Sequence, residues 1–259
     1  TNVEIGWKPF DNCSLPVIDG VIYADTYLTE FVGNMSSYNV KDGTQVIGMY
    51  AFGEEGNTSV VTVNLPNTIV RIEQGAFYDC SALTSVNIPN GVKVIESVAF
   101  YNTAIKNVVL PESLIDLDNA FASSAIESIV FPNSLTQIPG QVCYFCKNLT
   151  SVTLGDKVTH IYGGAFSGCS KLTTITLPKT ITHIYISALD ASNLNMIYCK
   201  ATVPPAVYYF KNNYGTVFEC FNVNSNLKIY VPRSAYGEYT KYTASTNGQT
   251  PIIENWYHY

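Results

Sequence analysis

The chain has 259 residues, 47% of them apolar and only 13% charged, with a formal net charge of −6. That apolar share excludes a disordered tail, the acidic balance without a Lys/Arg stripe excludes nucleic acid as a partner, and no apolar run is long enough to span a bilayer. Thr1 is not an initiator Met, and the simplest expectation is a processed chain from which an export signal has been removed.

In chain order, Val17-Ile-Asp-Gly-Val-Ile-Tyr23 predicts a hairpin turning at Asp19-Gly20, a common two-residue turn pair. Residues 1–37 are expected to form an N-terminal cap. Tyr38 to Phe52 match the second half of a unit that then recurs along the chain. Its leading apolar residue stands at Val60, Leu83, Ile105, Ile126, Leu149, Leu172 and Leu194, at spacings of 21 to 23 residues. A second landmark, Ala-Phe, appears at Ala76-Phe77, Ala99-Phe100, Ala120-Phe121 and Ala165-Phe166, with Val142-Cys143 and Ala188-Leu189 in phase. A fixed period of this length means stacked coils, each burying its apolar face against the next.

Each unit reads L-x-x-V-x-I-P, then V-x-x-I, then A-F-x-x-C. The alternation in V-x-I predicts a short strand with one buried face. Pro66, Pro89, Pro111, Pro132 and Pro178 end it because proline cannot donate the next ladder hydrogen bond, and Gly155 takes that place once. Asn67, Asn90-Gly91, Asn133 and Gly155-Asp156 supply the turn that follows. The V-x-x-I segment is too short for a helix and reads as a second extended side. The Ala-Phe corner turns the chain back through irregular structure or a single helical turn. The expected fold is a leucine-rich-repeat solenoid of short parallel strands over residues 38–197, with about six to seven coils of ~22–23 residues. Beyond it, Pro204-Pro205, a Tyr-rich stretch and Leu227-Lys-Ile-Tyr-Val-Pro232 predict an irregular C-terminal cap over residues 198–259. Ten of the nineteen tyrosines lie there, and capping is expected ahead of recognition for Tyr208, Tyr209, Tyr214, Tyr236, Tyr239 and Tyr242. Trp256-Tyr257-His258-Tyr259 is expected to tuck against the cap or fray.

Seven cysteines give no disulfide framework. Cys80, Cys146 and Cys169 precede the next leading apolar residue and read as small buried hydrophobes at a corner. Cys143-Tyr-Phe-Cys146 is formally a CxxC, but no second CxxC or histidine cluster accompanies it, so packing is the expected role.

Outward strand positions form two columns. One is Thr62, Ser85, Asn107, Ser128, Ser151, Thr174, and the other is Asn64, Asn87, Val109, Val130, Thr153, Thr176. Neither holds an acid, base or nucleophile pair, so no catalytic residue is expected there. On the second side the columns are Arg71, Val94, Asp116, Gln137, His160, His183 and Glu73, Glu96, Asp118, Pro139, Tyr162, Tyr185. His160-Ile-Tyr162 and His183-Ile-Tyr185 should therefore lie side by side. The candidate ligand-binding residues are His160, Tyr162, His183 and Tyr185, with Asn64, Asn87, Thr153 and Thr176 from the strand face. Two imidazoles without a third ligand do not make a metal site, so neither metal nor cofactor is expected. Glu73, Glu96 and Asp118 form an acidic ladder that reads as a solvated face rather than a cation site.

The L-x-x-V-x-I-P strand, V-x-x-I run and A-F-x-x-C corner from Gln45 to Leu194 resemble the BspA-like leucine-rich repeats of bacterial surface proteins. Asp19-Gly-Val-Ile-Tyr23 at the front also resembles that family, as do Ile197-Tyr-Cys-Lys-Ala-Thr-Val-Pro-Pro205 and Leu227-Lys-Ile-Tyr-Val-Pro232 behind. The departures are Val142-Cys143 and Ser187-Ala-Leu189 in place of the usual corner. The resemblance implies an exported, extracellular or cell-surface protein of gut or oral bacteria, associated with adhesion and without a shared catalytic motif. The expectation is a non-enzymatic module recognising a host matrix or other cell-surface protein, or a glycan. A structural spacer presenting another surface is the alternative, and a β-solenoid carbohydrate-active enzyme the least favoured.

Overall fold

The period-two alternation of β-branched and polar residues produces strands of only two to four residues in most coils. The structure, a computed structural model, describes residues 14–53, 57–190, 193–207, 210–211, 217–218, 227–242 and 256–258. Val63, Val108, Ile129 and Ile175 point inward and are buried, while Asn64 beside Val63 and Asn107 beside Val108 are exposed. Such short strands are stable only because each pairs in register with the strand one coil away. The result is a parallel β-solenoid of about eight turns.

The chain divides into two compact units, Thr1–Lys106 with Leu110–Ala125, and Asn107–Val109 with Ile126–Tyr259. In the first, Val17–Ile18 and Val21–Ala24 form an antiparallel hairpin, with Asp19 and Gly20 both at positive φ as its tight turn requires. Tyr27–Phe31 follows, then the second-side strands Val46–Ile47, Arg71–Ile72, Val94–Ile95 and Asp116–Leu117 in one parallel stack. The strand face consists of Ser37–Asn39, Thr62–Asn64 and Ser85–Val86. In the second unit that face is Asn107–Val109, Ser128–Val130 and Ser151–Thr153. Its second side is Gln137–Ile138, His160–Ile161, His183–Ile184 and Ala206–Val207.

Each proline that ends a strand opens a turn: the N–H of Ile69, Val92, Leu114, Leu135 and Ile181 donates to the carbonyl of Pro66, Pro89, Pro111, Pro132 and Pro178. Val158 N–H donates to Gly155 O at 3.1 Å in the same way. Glycine is required at 155 because a Cβ there would stand 2.4 Å from the Pro132 carbonyl oxygen.

The Ala-Phe corner is a run of three tight turns rather than a helical turn. In the coil of Phe77, Ala76, Tyr78 and Cys80 donate to the carbonyls three residues back, of Glu73, Gly75 and Phe77. The intervening N–H groups of Gly75, Phe77 and Asp79 donate instead to Ser97, Ala99 and Tyr101 of the next coil, at 2.8 to 3.0 Å. This alternation needs left-handed backbone before Ala and three residues after it. Tyr50, Gly75, Val98, Gln141, Gly164 and Ser187 hold the first position at positive φ, and Asp79, Asn102, Ser123, Phe145 and Gly168 the second. A left-handed residue terminates a helix, which is why none forms at these corners.

Beneath the corners of the first unit runs a stack of rings, Phe31, Phe52, Phe77, Phe100 and Phe121, with centroids 4.9 to 5.2 Å apart. In the second unit the column changes to Cys143, Phe166 and Leu189, all buried. The coil with the small Cys143 carries Phe131 where its sisters have Leu or Ile, and that ring meets Phe166 edge-on at 6.2 Å. Bulk lost at the corner is restored from the strand end. Cys143, Cys146 and Cys169 are buried thiols, and Cys169 Sγ donates to Cys143 O at 3.1 Å. The Cys146 side chain, burial and the adjacent thiols hold Cys143 in the protonated form, and burial pushes the Cys80 thiol up to about 12. These are packing thiols rather than nucleophiles.

After Leu194 the sequence period lapses but the register does not. Met196–Cys199 pairs parallel with Thr174–Leu177, Lys228–Val231 with Met196–Cys199, and Trp256–His258 with Lys228–Val231. An α-helix, Tyr236–Tyr242, follows a 3-10 turn, Arg233–Ala235. Its Tyr239 is buried and donates to Ala201 O at 2.9 Å. Tyr208, Tyr209, Tyr214 and Tyr259 lie outside the described residues.

Two substitutions test the backbone requirements. Gly155→Ala is expected to lower stability by about 1–3 kcal/mol, because the new methyl must displace a packed backbone. Val98→Asn is expected to raise it by roughly 1 kcal/mol, since Val98 is β-branched at φ 50° and Asn tolerates that region. Urea midpoints of the two variants check both signs. A neutral Gly155→Ala or a destabilising Val98→Asn contradicts the assignment.

Candidate recognition surface

Parallel, in-register pairing places equivalent residues of successive coils side by side. On the second side of the second unit it sets Gln137 beside His160, His160 beside His183, and His183 beside Ala206. Gln137 and Ala206 bring no ring to the histidine column, and among the described residues the stacked His/Tyr rungs lie on the coils of His160 and His183. Isoleucines 161 and 184 between the rungs are buried, which fixes the flanking His and Tyr side chains outward.

The four rings form one block. His160 and His183 stack at 4.4 Å with planes 6° apart, and Tyr162 and Tyr185 at 4.8 Å with planes 18° apart. Within each coil the imidazole and phenol lie 6.0 and 6.3 Å apart. Stacking hides ring faces against one another and turns polar ring edges outward, so the block suits edge-on hydrogen bonding better than face-stacking of a sugar. Gly140 and Gly163, just after the outward rungs, admit close coil approach: a Cβ at either would stand 3.0 Å from a carbonyl oxygen of the next coil.

Threonines orient the imidazoles. Thr159 Oγ1 donates its hydrogen to Thr136 O at 2.9 Å, so at 2.8 Å from His160 Nδ1 it accepts. Thr182 Oγ1 likewise donates to Thr159 O at 3.0 Å and accepts from His183 Nδ1 at 2.8 Å. Burial, and then the neighbouring His183, hold His160 below the ordinary histidine range. Both rings point their lone pairs along nearly parallel planes, and a metal must lie in the plane of each ring that ligates it. One ion between two parallel rings cannot meet that condition. Among the described residues no group of three or more His, Cys, Asp or Glu is arranged to hold a metal.

The strand-face candidates are placed elsewhere. Asn64 Nδ2 donates to Asn39 Oδ1 at 2.7 Å. Asn87 accepts from Leu65 N–H and donates to Leu65 O, both at 2.9 Å, replacing the strand pairing that stops at Val86. Both asparagines therefore belong to coil-to-coil bonding of the first unit. Thr153 is exposed and Thr176 half-buried, on strand sets separate from the His/Tyr sheet. Two aromatic pairs escape a reading of strand columns alone. Tyr78 and Tyr101 stack at 4.9 Å on the corner of the first unit, signalled by the Ala-Phe-Tyr triplets that carry them. Tyr198 and Tyr230 stack at 4.9 Å beyond the last repeat, where spacing gave no phase.

The acidic ladder is a set of links between coils. Glu73 accepts from Tyr27 Oη and from Met49 N–H at 3.2 Å. Glu96 accepts from Arg71 and from Gln74 N–H at 3.0 Å. Asp118 accepts from Ser97 Oγ and from Asn119 N–H at 2.8 Å. Carboxylates so engaged are not a cation site. Burial outweighs these bonds for Glu73 and raises its carboxyl above the usual range.

Residues 3–120 and 117–230 match the model of the BspA type leucine rich repeat region, in six copies. No curated protein matches the chain. Among solved structures, a leucine rich cell surface protein of Faecalibacterium prausnitzii A2-165 aligns at 21% identity and TM-score 0.61, over 85% of this chain and 70% of that one. A leucine-rich repeat protein of Bacteroides ovatus ATCC 8483 aligns at 24% identity and TM-score 0.62, over 85% of this chain and 69% of its own. Both share the fold. Among the described residues, no helix is long and apolar enough to cross a membrane.

The raised carboxyl of Glu73 sets a pH dependence. Between its unfolded and folded pKa the native state binds more protons, so stability falls as pH rises through that window and stays lower above it. Glu73→Gln, which keeps an acceptor for Tyr27 and Met49, is expected to be at least as stable as the parent at pH 7. Its advantage should shrink as pH falls towards 4. Chemical denaturation at the two pH values checks this, and an advantage growing towards acid contradicts it.

Proposed function

Because the chain belongs to the BspA-type leucine-rich repeat family, we propose that it is a non-catalytic recognition module, exported to the bacterial surface, that binds a protein or a glycan partner. The observation that carries this reading is the four-ring block at 160, 162, 183 and 185, where two successive rungs of the second side are aromatic. Its mechanism is contact through a pre-ordered surface. Rings already stacked and tied to threonines lose little freedom on binding, and Tyr is a common anchor of protein interfaces. The hydroxyl-bearing Thr153 and Thr176 on the strand face offer additional hydrogen bonds. A non-enzymatic role is supported by strand columns without acids or bases, where a glycosidase needs a pair of carboxylates.

The test is a binding screen of the purified chain against extracellular matrix proteins, bacterial surface proteins and glycans. A retained partner is expected, and Tyr162→Ala/Tyr185→Ala should weaken it at least about tenfold, or roughly 1.4 kcal/mol. Unchanged affinity in the double variant removes the block as the anchor. No retained partner at all favours a spacer, and polysaccharide cleavage lost on one carboxylate substitution favours an enzyme.

A further inference from the structure

The ring block has a defined protonation chemistry. With Thr159 and Thr182 accepting from Nδ1–H, the basic nitrogen of each neutral imidazole is Nε2. A proton taken up by either ring adds there and converts an acceptor edge into a donor edge. The rings are parallel at 4.4 Å, so charge on one opposes charge on the other. The in-register neighbours Gln137 and Ala206 do not ionise, and among the described residues His160 also has the rings of Tyr162 and Tyr185 near it. Asp156, Lys157 and Lys179 lie in the turns leading into the two strands. Among the described residues, His183 is the charged neighbour that bears on His160, after burial, and no carboxylate does. The second unit as a whole carries nine Lys/Arg against six Asp/Glu, and all three histidines, whereas the first carries five against fourteen.

We propose that His160, with His183 stacked on it, is a proton-coupled site for a carboxylate, so that the partner is a protein presenting an acidic segment, captured below neutral pH. This rests on the ring block being the recognition surface. In the capture step Nε2 takes a proton from hydronium, so that an N–H bond forms, an O–H bond breaks and water is left, and the carboxylate stays ionised. Nε2–H and the hydroxyls of Tyr162 and Tyr185 then donate to its oxygens. The carboxylate supplies a counter-charge that favours the proton on His160 beside His183. By reciprocity, it raises the pair's proton affinity by the factor with which protonation raises carboxylate affinity.

Calorimetric titration of the whole chain with hexaglutamate at pH 5.5 and 7.5, in buffers of different ionisation heat, tests the coupling. Binding about tenfold tighter at pH 5.5, as expected for a carboxylate that raises the pair by about one pH unit, should come with net proton uptake. His160→Gln/His183→Gln should abolish both effects, while Lys157→Gln/Lys179→Gln should weaken binding and keep the proton uptake. Equal affinity at the two pH values, or pH dependence that survives the histidine changes, overturns the proposal. Histidine nitrogen NMR of the unaltered chain at pH 7.5 provides a test free of folding defects. Protonated Nδ1 on both rings is expected, and protonated Nε2 overturns it. If a partner from the screen is lost in Tyr162→Ala/Tyr185→Ala yet binds equally at both pH values, recognition stands and proton coupling fails.

Discussion

Everything in this solenoid hangs on how its corners distribute backbone N–H groups. A chain that reverses direction every few residues would strand polar groups in its interior, where each unsatisfied one is costly. Here successive corner N–H groups alternate between the coil's own turn and the next coil, in both units. The left-handed residues before and after Ala-Phe make that alternation possible. With the corners satisfied, strands of two or three residues suffice. The rung positions are then held so rigidly that side chains 23 residues apart meet as stacked rings.

Much of this was legible from the spacing. The repeat predicted which residues are buried and which rungs adjoin, and His160 does lie beside His183 and Tyr162 beside Tyr185. Three features were not legible, each because it depends on geometry that a one-dimensional pattern does not carry. The corner lacks a helical turn because non-glycine residues such as Tyr50, Gln141 and Ser187 adopt positive φ, which their identities do not announce. The acidic column looked solvated because its bonding partners, such as Tyr27 Oη and the N–H groups of Met49 and Gln74, are 46, 24 and 22 residues away. The strand face continues past Leu194 because long insertions separate Met196–Cys199, Lys228–Val231 and Trp256–His258, hiding their common register.

The stack is regular in its backbone and varied in its side chains, and the variation has a pattern. In the first unit the second side carries carboxylates that bind neighbouring coils, and a phenylalanine column fills the core. In the second unit the carboxylates give way to outward rings, and the core is rebuilt from Cys143, Phe131 and Phe166. Rungs that bind neighbouring coils in one unit thus carry outward rings in the other. A solenoid can do this because each coil needs only its immediate neighbours.

The corner bonds also have a direction. Gly75, Phe77 and Asp79 in the first unit, like Gln141, Cys143 and Phe145 in the second, all donate from one coil to the carbonyls of the following coil. Met49 and Gln74 donate the same way, into carboxylates of the coil ahead. Peptide groups aligned head to tail in this manner sum their dipoles, as they do along an α-helix. Each unit's corner column is therefore a polar rod, with its positive pole at the last coil and its negative pole at the first, although no helix runs along it.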